Sequence, residues 1–493
     1  MPHLLFLSVI LLPVITGGLI AWLKAANQTT HSRRMLVSFA LAIQCGLSVW
    51  LFLAGDQSLT LFKLGPSLPI ALRSDGLARY FVLVISFLWA IIGVYSFKYM
   101  EHVQDEKRFF TFYMIILGAL TALCLSATLI TMFLFFEALT FLSTALFTIE
   151  KSQESISASW RFLFYALISL GLCLAGVILT LPNTASPYFT PGGSLAAPEQ
   201  LTLSTAAMLG VVFIACLGFA SMSGLFPLQG WLPAAHPVAS APASAILSSV
   251  ITKAGILCVI RYLYYVVGPD FVRGTWVQTA LLSFAVITVF MGSMLALGQK
   301  VLKKRLAYSS MSQLSYILCG VFLLTQTALN GALLHIFFHA ITKTALYMCA
   351  GAIIFYTGRT RIDQYHALGK KMPVTMTMFT IAALGLVGIP PMGGFVSKWY
   401  LIEGALDIGV FGWLAPVVLI ISALLTAGYL LPISISAFYD DPKLSAGMDS
   451  MRLPRLSLRM EIPMLILVAA LIGFGLFPGA LIGFFQGLAA TLI

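Results

Sequence analysis

Charge is scarce in this sequence. Of 493 residues only 17 are Asp or Glu, Lys and Arg add 28, and charged residues make up 9% of the chain. Hydrophobic residues make up 60% and the mean hydropathy is +0.98. No soluble domain of this size keeps such a surface dissolved, so the class is an all-α polytopic membrane protein. The 7 cysteines lie in apolar runs without a CxxC pair, so they read as small packing residues and imply no redox centre. There is no nucleotide-binding loop, metal motif or nucleophile triad. No enzyme active site is supported, the chain is expected to carry no cofactor, and any redox chemistry falls to partner subunits. The apolar N-terminus lacks a basic stretch before it and a small-residue cleavage site, and reads as a retained first helix.

What the chain does have is long apolar runs. Windows of about 20 residues predict fourteen helices near 3–23, 35–54, 77–97, 110–126, 128–149, 160–181, 206–226, 243–266, 275–297, 304–324, 329–356, 375–404, 412–439 and 462–484. The cations test this count. Loops after odd-numbered helices hold 20 of the 28 Lys and Arg, among them Arg33, Arg34, Lys303, Arg305, Lys443, Arg452 and Arg459. Loops after even-numbered helices hold Lys63, Arg73, Arg79, Arg261 and Arg273. The alternation fits the positive-inside rule with both termini on the outer side. The formal charge of +11 is then a topology signal and not a nucleic-acid surface.

Three cations remain, and all fall inside predicted helices: Lys253, Lys343 and Lys398. Glu137 is the one acid near the middle of a helix, and Glu403 lies near a helix end. An ionised group at membrane depth is costly unless it faces protein or water, so these residues are functional candidates by default. Glu137 has apolar neighbours on both sides, which favours titration over a structural role as a helix lock. Lys253 sits near mid-helix among small residues, too deep to snorkel, and a desolvated lysine releases its proton readily. His335, His339 and Lys343 recur at i, i+4 and i+8 on one helical face, a spacing suited to passing protons. A metal site is the rival reading of that triplet, but no carboxylate or cysteine partner is near.

Two stretches interrupt long apolar runs. GLFPLQGWLP, from Gly224, carries Pro227 and Pro233, with His236 just beyond. GIPPMGGFVSKW, from Gly388, carries Pro390, Pro391, Gly393 and Gly394, followed by Lys398. Proline removes a backbone donor and glycine weakens a helix, so each segment reads as helix, break, helix. Non-helical backbone at membrane depth is tolerated only where it is buried or lines a wet cavity. The two breaks fall in predicted helices 7 and 12, five apart, which points to two inverted five-helix repeats. The division is 1–109 (helices 1–3), 110–267 (helices 4–8), 275–439 (helices 9–13) and 440–493 (a loop and helix 14).

The stretches FFEALTFLS, FPLQGWLPAAHPVASAPASAILSSVITKAGI, KKRLAYSSMSQLSYI, HIFFHAITKTALY and GIPPMGGFVSKWY together resemble the antiporter-like membrane subunits shared by respiratory complex I, energy-converting hydrogenases and Mrp-type antiporters. The resemblance implies fourteen helices with inverted repeats, broken helices 7 and 12, and a mid-membrane proton channel. It places Glu137 at the family's helix-5 glutamate and Lys253 at the helix-8 lysine. His335, His339 and Lys343 take the helix-11 polar positions, and Lys398 takes the helix-12 lysine. His236 and Glu403 are further candidates. It implies other membrane subunits and lipid as partners, protons and in the alternative Na+ as cargo, and an energy-coupling membrane such as the prokaryotic plasma membrane. The chain departs from the pattern at Met222, where the family commonly has a lysine, and at Gln229 and Ala234, where it has a histidine and an acid. Beside the proton-conducting subunit stand three other readings: a Na+/H+ antiporter subunit, a structural subunit with a degenerate first half, and a self-contained solute transporter.

Overall fold

A computed structural model describes residues 2–65, 68–103, 105–149, 151–406, 408–439 and 454–493. Lys443 and Arg452 lie outside the described residues. The chain is a bundle of helices. The first seven are α1 (Pro2–Trp22), α2 (Thr30–Ala54), α3 (Gly76–Tyr99), α4 (Glu106–Cys124), α5 (Leu129–Phe147), α6 (Gln153–Thr180) and α7 (Thr205–Ser221). After the short α8 (Leu232–Val238) come the continuous α9 (Ala241–Val267), α10 (Trp276–Leu297), α11 (Leu302–Phe322) and α12 (Gln326–Thr357). The chain closes with α13 (Pro373–Val387), α14 (Gly393–Glu403), α15 (Phe411–Phe438), α16 (Leu458–Leu476) and α17 (Gly479–Ala490).

Local chemistry starts many of these helices. Thr29, Asp75, Asp105, Thr128, Ser152, Ser204 and Thr325 each accept an N–H of the first turn with the side chain. Among the described residues eleven helices are long and apolar enough to cross a membrane. α7, α13 and α17 are apolar but shorter. The bundle is layered about two helices, α9 and α12, whose apolar windows are 100% buried. α1, α2, α6, α15 and α16 are buried along only about a third of theirs and turn leucine, isoleucine and phenylalanine outward, as lipid-facing helices do.

The structure meets the two expected breaks and departs from the sequence expectation in three places. The predicted helix 206–226 ends at Ser221, and 375–404 divides into α13 and α14, both at the expected breaks. The predicted helix 462–484 also divides, at Phe477 and Pro478, where the proline cannot continue the helix. Residues 57–74 form an antiparallel hairpin, β1 (Gln57–Lys63) and β2 (Pro69–Ser74), with Gln57 opposite Ser74. The hairpin docks on the turn before α5 through the Ala127 N–H, which donates to Ala71 O.

The third departure is Arg261. Expected in a loop, it is buried inside α9 and forks onto Asp75, the N-cap of α3, with Nη2 donating to Oδ1 at 2.7 Å. Its guanidinium also lies 4.4 Å from the centre of the Tyr265 ring. α9 ends in a π turn at Tyr262–Val267, stopped by Gly268 at φ +88. The carbonyls of Tyr265, Tyr264 and Val266 accept the N–H groups of Thr190, Gly192 and Ser194 at 3.1, 3.0 and 2.8 Å. Gly193 permits this seam, because a Cβ there would stand 2.6 Å from Gly268 Cα.

Burial pushes the Asp75 carboxyl up, but the charge and hydrogen bonds of Arg261 outweigh it and hold it below its ordinary value. Its contribution to stability is therefore full above the ordinary carboxylate range and is lost as pH falls through the lowered folded value. Asp75→Ala strands a buried guanidinium and is expected to remove about 3–5 kcal/mol of unfolding free energy at neutral pH. Thermal unfolding in detergent should show a lower midpoint for the variant, with the gap to wild type closing toward acid pH.

Candidate functional site

Both breaks lie where the proline and glycine pattern places them, and each exposes helix-end carbonyls. At the first, α7 stops at Ser221, and the indole N–H of Trp231 donates to Ser221 O at 3.0 Å. The Phe226 N–H, freed from any helix, donates to Thr288 Oγ1 of α10 at 3.0 Å. At the second, α13 stops at Val387, with Gly388 at φ +86. There the carbonyls are taken by Lys398, whose Nζ donates to Leu386 O at 2.8 Å and Val387 O at 2.9 Å. A neutral indole and an ammonium thus do the same job at the two breaks. Each break also contains one cis X–Pro bond, Phe226–Pro227 and Pro390–Pro391. Pro233 lies in the first turn of α8, where its missing N–H is harmless. Gly394 lets α14 start against α13, since a Cβ there would stand 2.0 Å from Gly385 O.

The other two intramembrane lysines are also held by carbonyls. Lys253 Nζ donates to Ser248 O, in the π turn Leu247–Ile251 of α9. π turns leave carbonyls off the regular ladder. Lys343 Nζ donates to Leu306 O at 3.1 Å and to Ser309 Oγ at 2.8 Å. The two lysines are joined through α11. Leu306 O also accepts Ser310 Oγ at 2.9 Å, and Ser310 Oγ pairs with Ser248 Oγ at 2.6 Å. Hydrogen bonds therefore link Lys343 through Leu306 O and Ser310 to the Ser248 hydroxyl, and the backbone carbonyl of the same Ser248 holds Lys253.

The histidines occupy the space between the lysines. His335 pairs through Nδ1 with Ser397 Oγ at 2.8 Å and through Nε2 with Gln313 Oε1 at 3.1 Å. Its ring stacks on Tyr316 at 5.7 Å and on His339 at 6.0 Å, and Lys398 Nζ stands 5.2 Å from the centre of the Tyr316 ring. His339 is buried with both ring nitrogens unpartnered among the described residues, within electrostatic reach of Lys253, Lys343 and Lys398. His236 is equally unpartnered and stacks on Tyr347 at 5.2 Å. It reaches Lys343, Lys303 and Lys253 electrostatically. Six sequence candidates therefore come together: Lys253, Lys343, Lys398, His335, His339 and His236.

Glu137 and Glu403 do not join them. Glu403 is exposed at the end of α14. Glu137 is buried on α5 with neither carboxylate oxygen hydrogen-bonded among the described residues. It lies within electrostatic reach of Cys173 and Cys258, and it takes part in no ion pair among the described residues. Its neighbour Phe136 packs edge-on against Phe219 at 5.4 Å. One turn of α7 on, Met222 is buried against Gly255 of α9. Gln229 donates weakly to Met291 Sδ at 4.0 Å, and Ala234 is half-buried.

Sequence reasoning assigned no role to the groups that link these residues: Ser248, Ser309, Ser310, Gln313, Tyr316 and Ser397. The signal was available in KKRLAYSSMSQLSYI, where serine, glutamine and tyrosine recur at helical spacing on α11. All of these are buried. Among the described residues no group of three or more His, Cys, Asp or Glu could hold a metal ion. The chemistry the arrangement offers is proton exchange: amines on carbonyls, imidazoles with unused nitrogens, and hydroxyls between them.

The close approach at the second break gives a test. Gly394→Ala forces α13 and α14 apart and is expected to cost about 1–3 kcal/mol, as overpacking does. Gly210→Ala, with nothing within 4 Å of the added methyl, is expected to leave the thermal midpoint unchanged or raise it.

A family profile described as NADH:quinone oxidoreductase/Mrp antiporter, TM matches residues 126–427. A second, for the N-terminus of complex I chain 5, matches residues 62–110. NADH-quinone oxidoreductase subunit N of Desulforudis audaxviator is 32% identical over 429 residues, covering 84% of this chain and 83% of the relative. A Na(+)/H(+) antiporter subunit of Alkalihalophilus pseudofirmus is 28% identical over 477 residues, covering 96% and 94%. In the structure of the Mrp complex from Dietzia sp. DQ12-45-1b, one chain superposes with a TM-score of 0.85 at 22% identity over 99% of this chain and 97% of that one, a likeness of fold. With the two breaks, the carbonyl-held lysines and a matched profile over more than half its length, the chain belongs to the NADH:quinone oxidoreductase/Mrp antiporter transmembrane family.

Proposed function

We propose that the chain is a proton-translocating subunit of a multisubunit, ion-pumping membrane complex of the complex I or Mrp type. The observation that carries this reading is the buried cluster of Lys253, Lys343, His339, His335 and Lys398, in which carbonyls and hydroxyls hold the lysines and His335, His339 keeps both ring nitrogens unused, and no acid is among the described members. A file of cationic groups repels Na+, so its geometry favours protons as cargo. Change in charge at one lysine alters the neighbouring histidines and lysines through like-charge repulsion, which is how loading at one end is felt at the other. Glu137 is a separate station in the first half. His236 branches from the lysines, and Glu403 is a surface group at the far end.

Adding α7, α11 and the α13–α14 pair to the eleven long apolar helices gives fourteen crossings. The matched breaks support two inverted repeats, residues 110–267 and 275–439, between an N-terminal unit, 1–109, and a C-terminal one, 440–493. Without Arg261 the loop cations divide 20 to four, which supports termini on the outer side of a prokaryotic plasma membrane. The subunit holds no cofactor of its own in this reading, and the partners supply the driving reaction.

Lys398→Ala and Glu137→Ala are each expected to abolish proton movement while the complex still assembles. The measurement is dye-reported proton movement in liposomes holding the purified complex, driven by a potassium diffusion potential. Undiminished movement in either variant would sink the assignment of that residue, and in both would sink the pathway.

A further inference from the structure

The surroundings of Lys343 pose an electrostatic problem. From α8 it faces His236, from α9 Lys253 and from its own helix His339. Arg305 and Lys303 stand at the head of α11. Among the described residues its nitrogen is hydrogen-bonded to Leu306 O and Ser309 Oγ and forms no ion pair with an Asp or Glu. Every charged neighbour is thus cationic in its charged form, and only neutral dipoles can offset the ammonium.

One row of dipoles is built to turn. Lys343 donates to Ser309 Oγ at 2.8 Å. The Tyr429 hydroxyl, on α15, is within reach of two acceptors, Ser309 Oγ at 2.9 Å and Thr426 Oγ1 at 3.2 Å. Thr426 Oγ1 in turn donates to Ser422 O at 2.7 Å. Ser309, Tyr429 and Thr426 are each 0% exposed, so these bonds lie away from bulk solvent. Arg305 Nη1 donates to the carbonyl of Tyr429 at 2.7 Å and ties this turn of α15 to the first turn of α11. The row therefore lies about one helical turn, roughly 6 Å, inside the cation-rich end of α11.

We propose that Tyr429 is a positioning residue for proton transfer at Lys343, its hydroxyl turning between Thr426 and Ser309 as the lysine gains and loses its proton. With the ammonium, Ser309 gives its hydrogen to Tyr429 Oη, Tyr429 to Thr426 and Thr426 to Ser422 O. A lone pair of Ser309 then faces Lys343. With the amine, Tyr429 gives its hydrogen to Ser309, and Ser309 gives its own to the lone pair of Lys343. Each hydroxyl keeps one hydrogen throughout. Only Lys343 changes charge, and its proton passes to an unprotonated lysine or histidine of the file. The same heavy-atom positions thus satisfy both states of the lysine, which a carboxylate partner would not do.

This inference rests on the proton-pathway reading, and its test separates the two. In the liposome assay, Tyr429→Phe and Ser309→Ala are each expected to slow proton movement about tenfold, the worth of one hydrogen bond. The double variant should be no slower than either single one, and Ser309→Thr should restore most of the rate lost in Ser309→Ala. A wild-type rate in Tyr429→Phe while Lys398→Ala is inactive overturns the role of Tyr429 and leaves the pathway standing. Wild-type rates in Tyr429→Phe, Lys398→Ala and Glu137→Ala together overturn the pathway. Should Tyr429→Phe fail to assemble, the Ser309 pair decides: no difference between Ser309→Ala and Ser309→Thr overturns the proposal.

Discussion

The three intramembrane lysines share one constraint: each ammonium is held by backbone carbonyl oxygens. Lys398 takes Leu386 O and Val387 O, Lys253 takes Ser248 O and Lys343 takes Leu306 O. Lys303 at the head of α11 likewise reaches Pro237 O and Ala239 O at the end of α8. A carbonyl is available to a side chain where a helix stops, loosens or shares its second lone pair. The broken helix at α13 and α14, the π turn of α9 and the shared carbonyl of Leu306 in α11 are therefore what make the three lysines tolerable at depth. A carbonyl dipole can host either an ammonium or an amine. An ion pair would favour the charged form alone.

The two breaks use the same opportunity differently. At the second, the freed carbonyls hold a titratable group. At the first, Ser221 O is closed off by the Trp231 indole, and the buried methionine at position 222 adds no charge. Glu137 is left without a cation beside it. The two breaks are alike in having a helix stopped beside a cis X–Pro bond and unlike in chemistry, and the hydrogen bonds of the lysines and His335 gather around α9, α11, α12 and α14.

Much of this was legible in the sequence. Proline and glycine mark a break wherever they fall, and a lysine in an apolar run is conspicuous, so both breaks and all three lysines could be placed. The linking groups were harder. Ser248, Ser309, Ser310 and Gln313 are ordinary residues in a helix, and their value depends on which neighbour faces them, which spacing within one segment does not tell. Arg261 was misread because a cation near a predicted helix end looks like a loop cation until its partner, Asp75, is found 186 residues away. The hairpin at 57–74 was missed because its strands are too short and mixed to stand out beside apolar helices. The division at Phe477 was missed because a lone proline near the end of a long apolar run resembles a terminus.

The seam between the loop at 190–194 and the end of α9 is made of amide-to-carbonyl bonds, with Gly193 lying against Gly268. Bonds of this kind depend on no side chain. The far end of the central helix is thus fastened whatever the protonation of the groups beside it, the Arg261–Asp75 pair included.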